Sequence, residues 1–207
     1  MSSVSDFIPL REEDVDPDPL VQFATWFELA TQAGVRAAEA AALATAAPDG
    51  VPSVRMVLVK QFDARGFVFY TSYESRKGIE LAANPHAALL FYWMPLGRQV
   101  RIEGTVKRTT PEQTAAYIRS RPRASQLSAI ASPQSQVIAS REVLERRVAE
   151  LAAGNESSDP PLPGTWGGFR LYPTSFEFWQ NREDRLHDRL RYTSADDGRW
   201  TIERLAP

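Results

Sequence analysis

The sequence predicts a mainly β fold with flanking helices (α+β): an antiparallel barrel with helices packed outside it. Three observations point there. Short apolar runs bounded by turn residues recur along the 207 residues, as antiparallel strands require. Helical patterns appear singly among the strands rather than after each one, which disfavours a parallel sheet. No strand leads into a Gly-x-Gly-x-x-Gly helix start, so a doubly wound dinucleotide-binding fold is not expected.

Residues 1–17 are acidic and proline-bearing and read as a flexible arm; residues 18–207 read as a single domain. Asp18-Pro19 opens a helix, with aspartate as N-cap and proline at the first helical position. Leu20, Phe23, Phe27 and Ala30 form its apolar stripe, and Gly34 suits its end. Residues 40–45 read as a short strand, because the turn signal Pro48-Asp49-Gly50 follows. Residues 53–60 form the next strand, which Asp63-Ala64-Arg65-Gly66 turns into another at 67–71. Residues 75–83 are a short helix stopped by Asn84-Pro85. The near-continuous apolar run at 87–93 is a central strand, and 98–108 alternates, with Val100, Ile102 and Val106 on one face.

Thr110-Pro111-Glu112-Gln113 is a capping box opening a helix that carries Tyr117. A second helix covers roughly 140–151 and ends at Gly154, with Leu144, Val148 and Leu151 on one side. Residues 155–164 are a polar, proline-rich connection. Strands follow at 168–172 and 175–179, and Asp196-Asp197-Gly198 makes a hairpin into 200–205. Gly167-Gly168 reads as a tight turn.

Composition excludes several classes. A net charge of −2 gives no broad reason to bind nucleic acid or a membrane. No apolar run approaches the ~20 residues that span a bilayer, and the first twenty residues lack a signal-peptide pattern. There is no cysteine and there are only two histidines, so no metal site is expected. A cytoplasmic location fits the absence of cysteine.

Four segments carry candidate chemistry. In residues 179–192, four arginines, His187, Trp179 and Tyr192 crowd into fourteen positions. Arginine forks grip phosphate or carboxylate, aromatics offer flat faces, and histidine moves protons near neutral pH. Charge pairing with Glu183, Asp184 and Asp188 in a solvated loop is the plainer alternative. In Ser75-Arg76-Lys77-Gly78, two cations occupy the first turn of a helix. That is the wrong sign for its dipole, and a bound anion would reverse it. In Arg55-Met56-Val57-Leu58-Val59-Lys60, two cations bracket an apolar strand, and their odd separation sends them to opposite faces; taken alone, charges that guard strand ends against edge pairing are the plainer reading. In the stretch from Tyr117 to Gln126, Tyr117 and Arg121 are four apart on one helical face, with Ser125 beyond Pro122. Converging, these three would make a phosphate-sized cradle, and an ordinary basic helix end favoured by the dipole is the plainer alternative. Of 24 basic residues only Lys60, Lys77 and Lys107 are lysine, and two of them fall in these segments.

These strings, with Phe69-Tyr70-Thr71, Gly97-Arg98-Gln99-Val100, Ser132-Pro133-Gln134-Ser135, Trp166-Gly167-Gly168-Phe169-Arg170, Arg185-Leu186-His187-Asp188-Arg189 and the ending Glu203-Arg204-Leu205-Ala206-Pro207, resemble the pyridoxine/pyridoxamine 5′-phosphate oxidase family over residues 18–207. The resemblance implies an FMN-binding split β-barrel working as a homodimer, with flavin between subunits and residues 166–207 as the dimerisation segment. It implies FMN contacts from Arg55, Met56, Val57, Leu58, Val59, Lys60, Tyr70, Thr71, Arg76, Lys77, Gln99, Gln134, Ser135, Trp179 and Arg189. Substrate phosphate would fall to Lys60, Tyr117, Arg121 and Ser125, and Arg185 and His187 would sit over the substrate ring as the catalytic pair.

The implied reaction moves a hydride from C4′ of a phosphorylated B6 vitamer to the flavin. O2 then reoxidises the flavin and yields H2O2. Arg185 would orient and polarise the C4′ substituent, and His187 would position the ring, with proton transfer or a purely structural hydrogen bond as its two open roles. The sequence departs from the family pattern in two places. Residues 2–9 lack the usual Tyr and Arg of the arm, and Ser128-Ala129-Ile130 replaces Gly-Ala-Trp, a change expected to alter packing rather than chemistry. Two alternatives stay open: a related flavin oxidase acting on another aromatic such as a phenazine precursor, and a non-catalytic flavin- or pyridoxal-phosphate-binding protein.

Overall fold

A computed structural model describes residues 9–154, 163–195 and 197–207. Helix α1, Pro19–Gln32, starts where Asp18 accepts the Leu20 N–H, and it ends before Gly34, whose φ of +71° needs a residue without Cβ. Strands β1 (Ala40–Ala46), β2 (Pro52–Asp63) and β3 (Gly66–Ser72) follow as antiparallel neighbours. Helix α2, Arg76–Ala83, is capped by Ser75, whose hydroxyl accepts the Gly78 N–H. Strands β4 (His86–Trp93) and β5 (Arg98–Arg108) pair next. The capping box forms with both of its hydrogen bonds and opens α3, Pro111–Ser120. Helices α4, Arg123–Ala131, and α5, Arg141–Gly154, precede β6 (Trp166–Gln180), β7 (Asp188–Ser194) and β8 (Trp200–Arg204).

The sheet runs β3-β2-β1-β4-β5-β6-β7-β8, and β3 also pairs with β6. That extra ladder closes six strands into a barrel. This is the split-barrel fold, and the split lies within β6. Its first part pairs with β3 from Trp166 to Leu171, and its last part pairs with β7 from Ser175 to Gln180. Between them the register against β5 slips: Glu103 faces Ser175 but Gly104 faces Pro173, leaving Thr174 as an extra residue. Pro173 has no N–H for the ladder, so a bulge there is its natural place.

The core is aromatic. Phe23 of α1 is fully buried, and its ring meets Phe62, Phe67 and Phe91 edge-on at 4.8–5.0 Å. The helix thereby ties β2, β3 and β4 together, and each such pair adds ~0.5–1.5 kcal/mol beyond area burial.

Several expectations are corrected. The two strands expected at 168–172 and 175–179 are one strand, since a bulge lets the chain pass Pro173-Thr174 without turning. Gly167-Gly168 lies inside β6 and is no turn. A Cβ at Gly167 would strike the Tyr73 hydroxyl, and one at Gly168 would lie 2.8 Å from the Tyr70 ring. Helix α4 was not expected, because Pro122 reads as a stop and no side chain caps the helix. Residues 9–17 are packed rather than loose. Leu10 is buried, Arg204 binds Glu12 and the Leu10 carbonyl, and the Tyr192 hydroxyl donates to the Asp16 carbonyl. The arm expected at residues 1–8, most of the connection expected at 155–164, and Asp196 of the hairpin turn lie outside the described residues; Gly198 has a φ of +80°. Among the described residues no helix is long and apolar enough to cross a membrane.

Candidate active site

A cavity of about 880 Å³ opens where β2, β3, α2 and the α3–α4 junction face α5. Strand alternation supplies one wall. Met56, Leu58 and Lys60 point outward from β2 into this space, while Val59 points into the core and Val57, also a core residue, borders the cavity. Arg55 shares the inward face with Val57, so the two cations of this strand do diverge. Lys60 meets Glu39 at 3.5 Å.

The Lys77 ammonium lies in the cavity wall with the residue only 7% exposed. Its Nζ lies 3.1 Å from Thr71 Oγ1, 3.4 Å from Ser75 Oγ and 3.4 Å from Gln134 Oε1. No ion pair reaches it among the described residues. Burial lowers its pKa from the ordinary lysine value, and the nearby Arg55 charge lowers it further. Gln134 is fixed in turn, accepting from Thr71 Oγ1 at 2.7 Å and from the Ser72 N–H. Ser135 beside it is exposed with a φ of +72° and does not line the cavity. A buried cation held only by neutral oxygens is an anion site in waiting.

Across the same cavity, Tyr70 and Tyr117 stack at 3.7 Å and 10°. Trp166 lies nearly parallel to both, at 5.9 and 6.2 Å. The Arg121 guanidinium sits 5.9 Å from the Tyr117 ring centroid and 5.7 Å from that of Trp166. Burial raises the Tyr117 pKa against the opposing pull of Arg121, so its hydroxyl stays protonated and can donate. Arg121 reaches this place otherwise than expected. Helix α3 stops at Ser120, and Arg121 is its extended C-cap, pinned by the Gln126 amide on its carbonyl at 2.9 Å. Ser125, in the first turn of α4, does not line the cavity. Ser128 and Ala129 do line it, so the departure at 128–130 bears on the cavity wall as well as on packing.

The remaining sequence-selected residues sit elsewhere. Gln99, Trp179 and Arg189 are direct cross-strand partners on β5, β6 and β7. Arg189 pairs with the buried Glu177 at 2.8 Å and donates to the Ala206 carbonyl at 2.6 Å. His187 packs on Trp179 with ring centroids 4.6 Å apart and the planes tilted by 43°, and its Nδ1 accepts the Arg182 N–H at 3.0 Å. Arg185 is exposed with a φ of +63°, a region non-glycine residues seldom occupy. None of these five lines the cavity.

Residues 27–153 match the family described as pyridoxamine 5′-phosphate oxidase, and residues 166–207 match the pyridoxine 5′-phosphate oxidase C-terminal dimerisation region. The chain belongs to the pyridoxamine 5′-phosphate oxidase family. It is 56% identical to the pyridoxine/pyridoxamine 5′-phosphate oxidase of Paraburkholderia phymatum over 94% of this chain and 91% of that one. Identity to the enzyme of the same name from Rubrobacter xylanophilus is also 56%, over 96% and 91%. Among solved structures it is similar to PhzG from Burkholderia lata 383 in complex with tetrahydrophenazine-1-carboxylic acid, with a TM-score of 0.90 and 35% identity over 97% of this chain and 98% of that chain.

Membership in this oxidase family makes FMN the cofactor, and the residues present fit it: Lys77, Thr71 and Gln134 offer a monophosphate one buried cation and neutral hydrogen-bonding groups. Two residues of this family member escaped the sequence reading. Trp166 was noted only as part of a string, although an aromatic before two glycines signals a flat side chain beside close-packed backbone. Glu80 was passed over, although it stands four residues after Arg76 on α2 and binds it at 2.8 Å.

Proposed function

We propose that the chain is a homodimeric FMN oxidase that converts pyridoxine 5′-phosphate and pyridoxamine 5′-phosphate to pyridoxal 5′-phosphate. O2 is reduced to H2O2, and the amine substrate also takes up water and releases NH3. One observation carries this reading: a single cavity is lined by two separate cations with their own neighbours, Lys77 with Thr71 and Gln134, and Arg121 with Tyr117 and Trp166, and Lys60 also stands in its wall. Two phosphate monoesters, one on the cofactor and one on the substrate, need two such places.

FMN, when bound, supplies the hydride acceptor and the route for electrons to O2. Lys77, Thr71 and Gln134 hold its phosphate together with Arg76, the residue before Lys77 on α2, and the Met56–Leu58 stretch of β2 supports it. Arg121 and Lys60 hold the substrate phosphate, and the Tyr117 hydroxyl donates to it. Arg185 orients the C4′ substituent. His187 positions the ring as a donor: because Nδ1 accepts from Arg182, the neutral imidazole carries its proton on Nε2. A proton-accepting role at Nε2 would require that tautomer to change.

Gln99, Trp179, Arg185, His187 and Arg189 lie off the cavity of their own chain, which favours a second copy bringing them to it. The match of residues 166–207 to a dimerisation region supports the same arrangement. A second reading, oxidation of a reduced phenazine carboxylic acid, is favoured by the similarity to PhzG. The test is peroxide release from purified protein with each phosphorylated vitamer and with a tetrahydrophenazine carboxylic acid. Turnover of the vitamers supports the proposal. Turnover of the phenazine precursor alone would replace it with the second reading, and no turnover with bound FMN would leave a carrier.

A further inference from the structure

Glu80 is a buried carboxylate on the second turn of α2, 6% exposed, and four side chains donate to it. Oε1 takes Arg76 Nε at 2.8 Å. Oε2 takes Ser53 Oγ at 2.6 Å, Arg55 Nη2 at 3.2 Å and the Thr45 hydroxyl. Burial pushes its pKa up, but these bonds outweigh it and hold the carboxyl at about 2.

The two arginines are used differently. Arg55 is turned inward, its side chain only 20% exposed: Nη1 goes to Thr45 and the Leu43 carbonyl, and Nη2 goes to Ser53 and Glu80. Arg76 gives up only Nε, its side chain remains 60% exposed, and its two terminal nitrogens have no partner among the described residues. Lys77, the next residue, is buried in the cavity wall with neutral partners only. Within this cluster three cations, Arg55, Arg76 and Lys77, stand against one buried carboxylate, an excess of two positive charges. A phosphate monoester near neutral pH carries ~1.5–2 negative charges.

We propose that Glu80 is a positioning residue for the cofactor phosphate: it clamps Arg76 by Nε and keeps both terminal nitrogens free for the phosphate beside Lys77. This rests on the reading that Lys77 marks the FMN phosphate site. Without the clamp, an exposed arginine samples many rotamers, and ordering it costs affinity when the phosphate binds.

The experiment compares FMN with riboflavin, which lacks the phosphate, by flavin-fluorescence titration of the deflavinated full-length protein. Glu80→Gln should weaken FMN binding by roughly tenfold, the lower end for a charge-assisted hydrogen bond, and leave riboflavin within about twofold. In combination with Arg76→Ala, the Glu80→Gln change should add little, because both act through one guanidinium. A drop in thermal stability with the FMN-to-riboflavin ratio unchanged would mean that Glu80 only neutralises Arg55, and would overturn the proposal. Tighter FMN binding would overturn it too, as the sign of plain charge repulsion. Lys77→Ala separates the two levels. If it spares the ratio, the phosphate-site reading itself fails. If it lowers the ratio and Glu80→Gln does not, only the role of Glu80 fails.

Discussion

The cavity around Lys77 and the segment at 179–191 draw on similar residue types: arginines and aromatics. They are built differently. In the first, β2, β3, α2 and the α3–α4 junction of one chain converge, so Lys77, Gln134, Tyr70, Tyr117 and Arg121 already face a common space. In the second, Gln99, Trp179 and Arg189 form a row across three strands, and Arg185 stands exposed beyond it. The closed barrel gives the first region its geometry. The second lies beyond the bulge at Thr174, where β6 has left the barrel for β7. In the proposed reading, a site split this way is half assembled within a chain and completed by a second copy.

The sharpest way to break this comparison is to remove one cation from each cradle of the first region. Lys77→Ala should loosen FMN, and Arg121→Ala should lower kcat/KM with flavin retained. Each effect should be roughly ten- to two-hundredfold, from a charged hydrogen bond of ~1.5–3 kcal/mol. Flavin content and steady-state kinetics report both, and equal flavin loss from the two variants would merge the cradles into one. In the second region, Arg185→Lys keeps the charge but loses the fork, so kcat/KM should fall about tenfold. Because the side chain is exposed, the melting temperature should hold; a matching drop in stability would make Arg185 structural.

A smaller effect joins the two regions. Flavin bound across a two-fold interface stabilises the dimer by mass action, so the apo-protein should dissociate at several-fold higher concentration than the holo-protein. Sedimentation over a dilution series measures this, and a fully active holo monomer would defeat the split site. The smallest effect is on acid stability. The folded Glu80 carboxyl is depressed from 4.5 to about 2, so the stability it contributes is complete above its unfolded value and is lost as pH falls through that window. Glu80→Gln should flatten that part of a urea-midpoint profile between pH 4.5 and 2, whereas Arg185→Lys should leave its shape intact.

Local chemistry made much of the molecule legible. Asp18-Pro19, Ser75 and the Thr110–Gln113 box mark helix starts because their side chains satisfy N–H groups within three residues. The β2 alternation separated Arg55 from Lys60 for the same reason, since pleating is a two-residue property. Misreadings came where distance in sequence mattered. Pro173 looks like a strand end until β5 is seen to pass it with a bulge. Gly167 and Gly168 look like a turn until Tyr73 and Tyr70 press against them.

The sequence by itself determined most of the elements, though not α4 or the continuity of β6, together with the family, the cofactor that goes with it, and the residue types that carry charge. Those follow from side-chain capping, from periodicity and from ordered strings of residues, all of which act or can be read along the chain. Only the tertiary structure decided that Arg121 reaches the cavity as an extended cap rather than on a helix face, and that Ser125 does not reach it. It also decided that Glu80 gathers Arg55 and Arg76, and that Arg185 and His187 stand away from the cavity of their own chain. Each of these depends on which strands the barrel brings side by side, across separations of up to about a hundred residues, and no local preference encodes that.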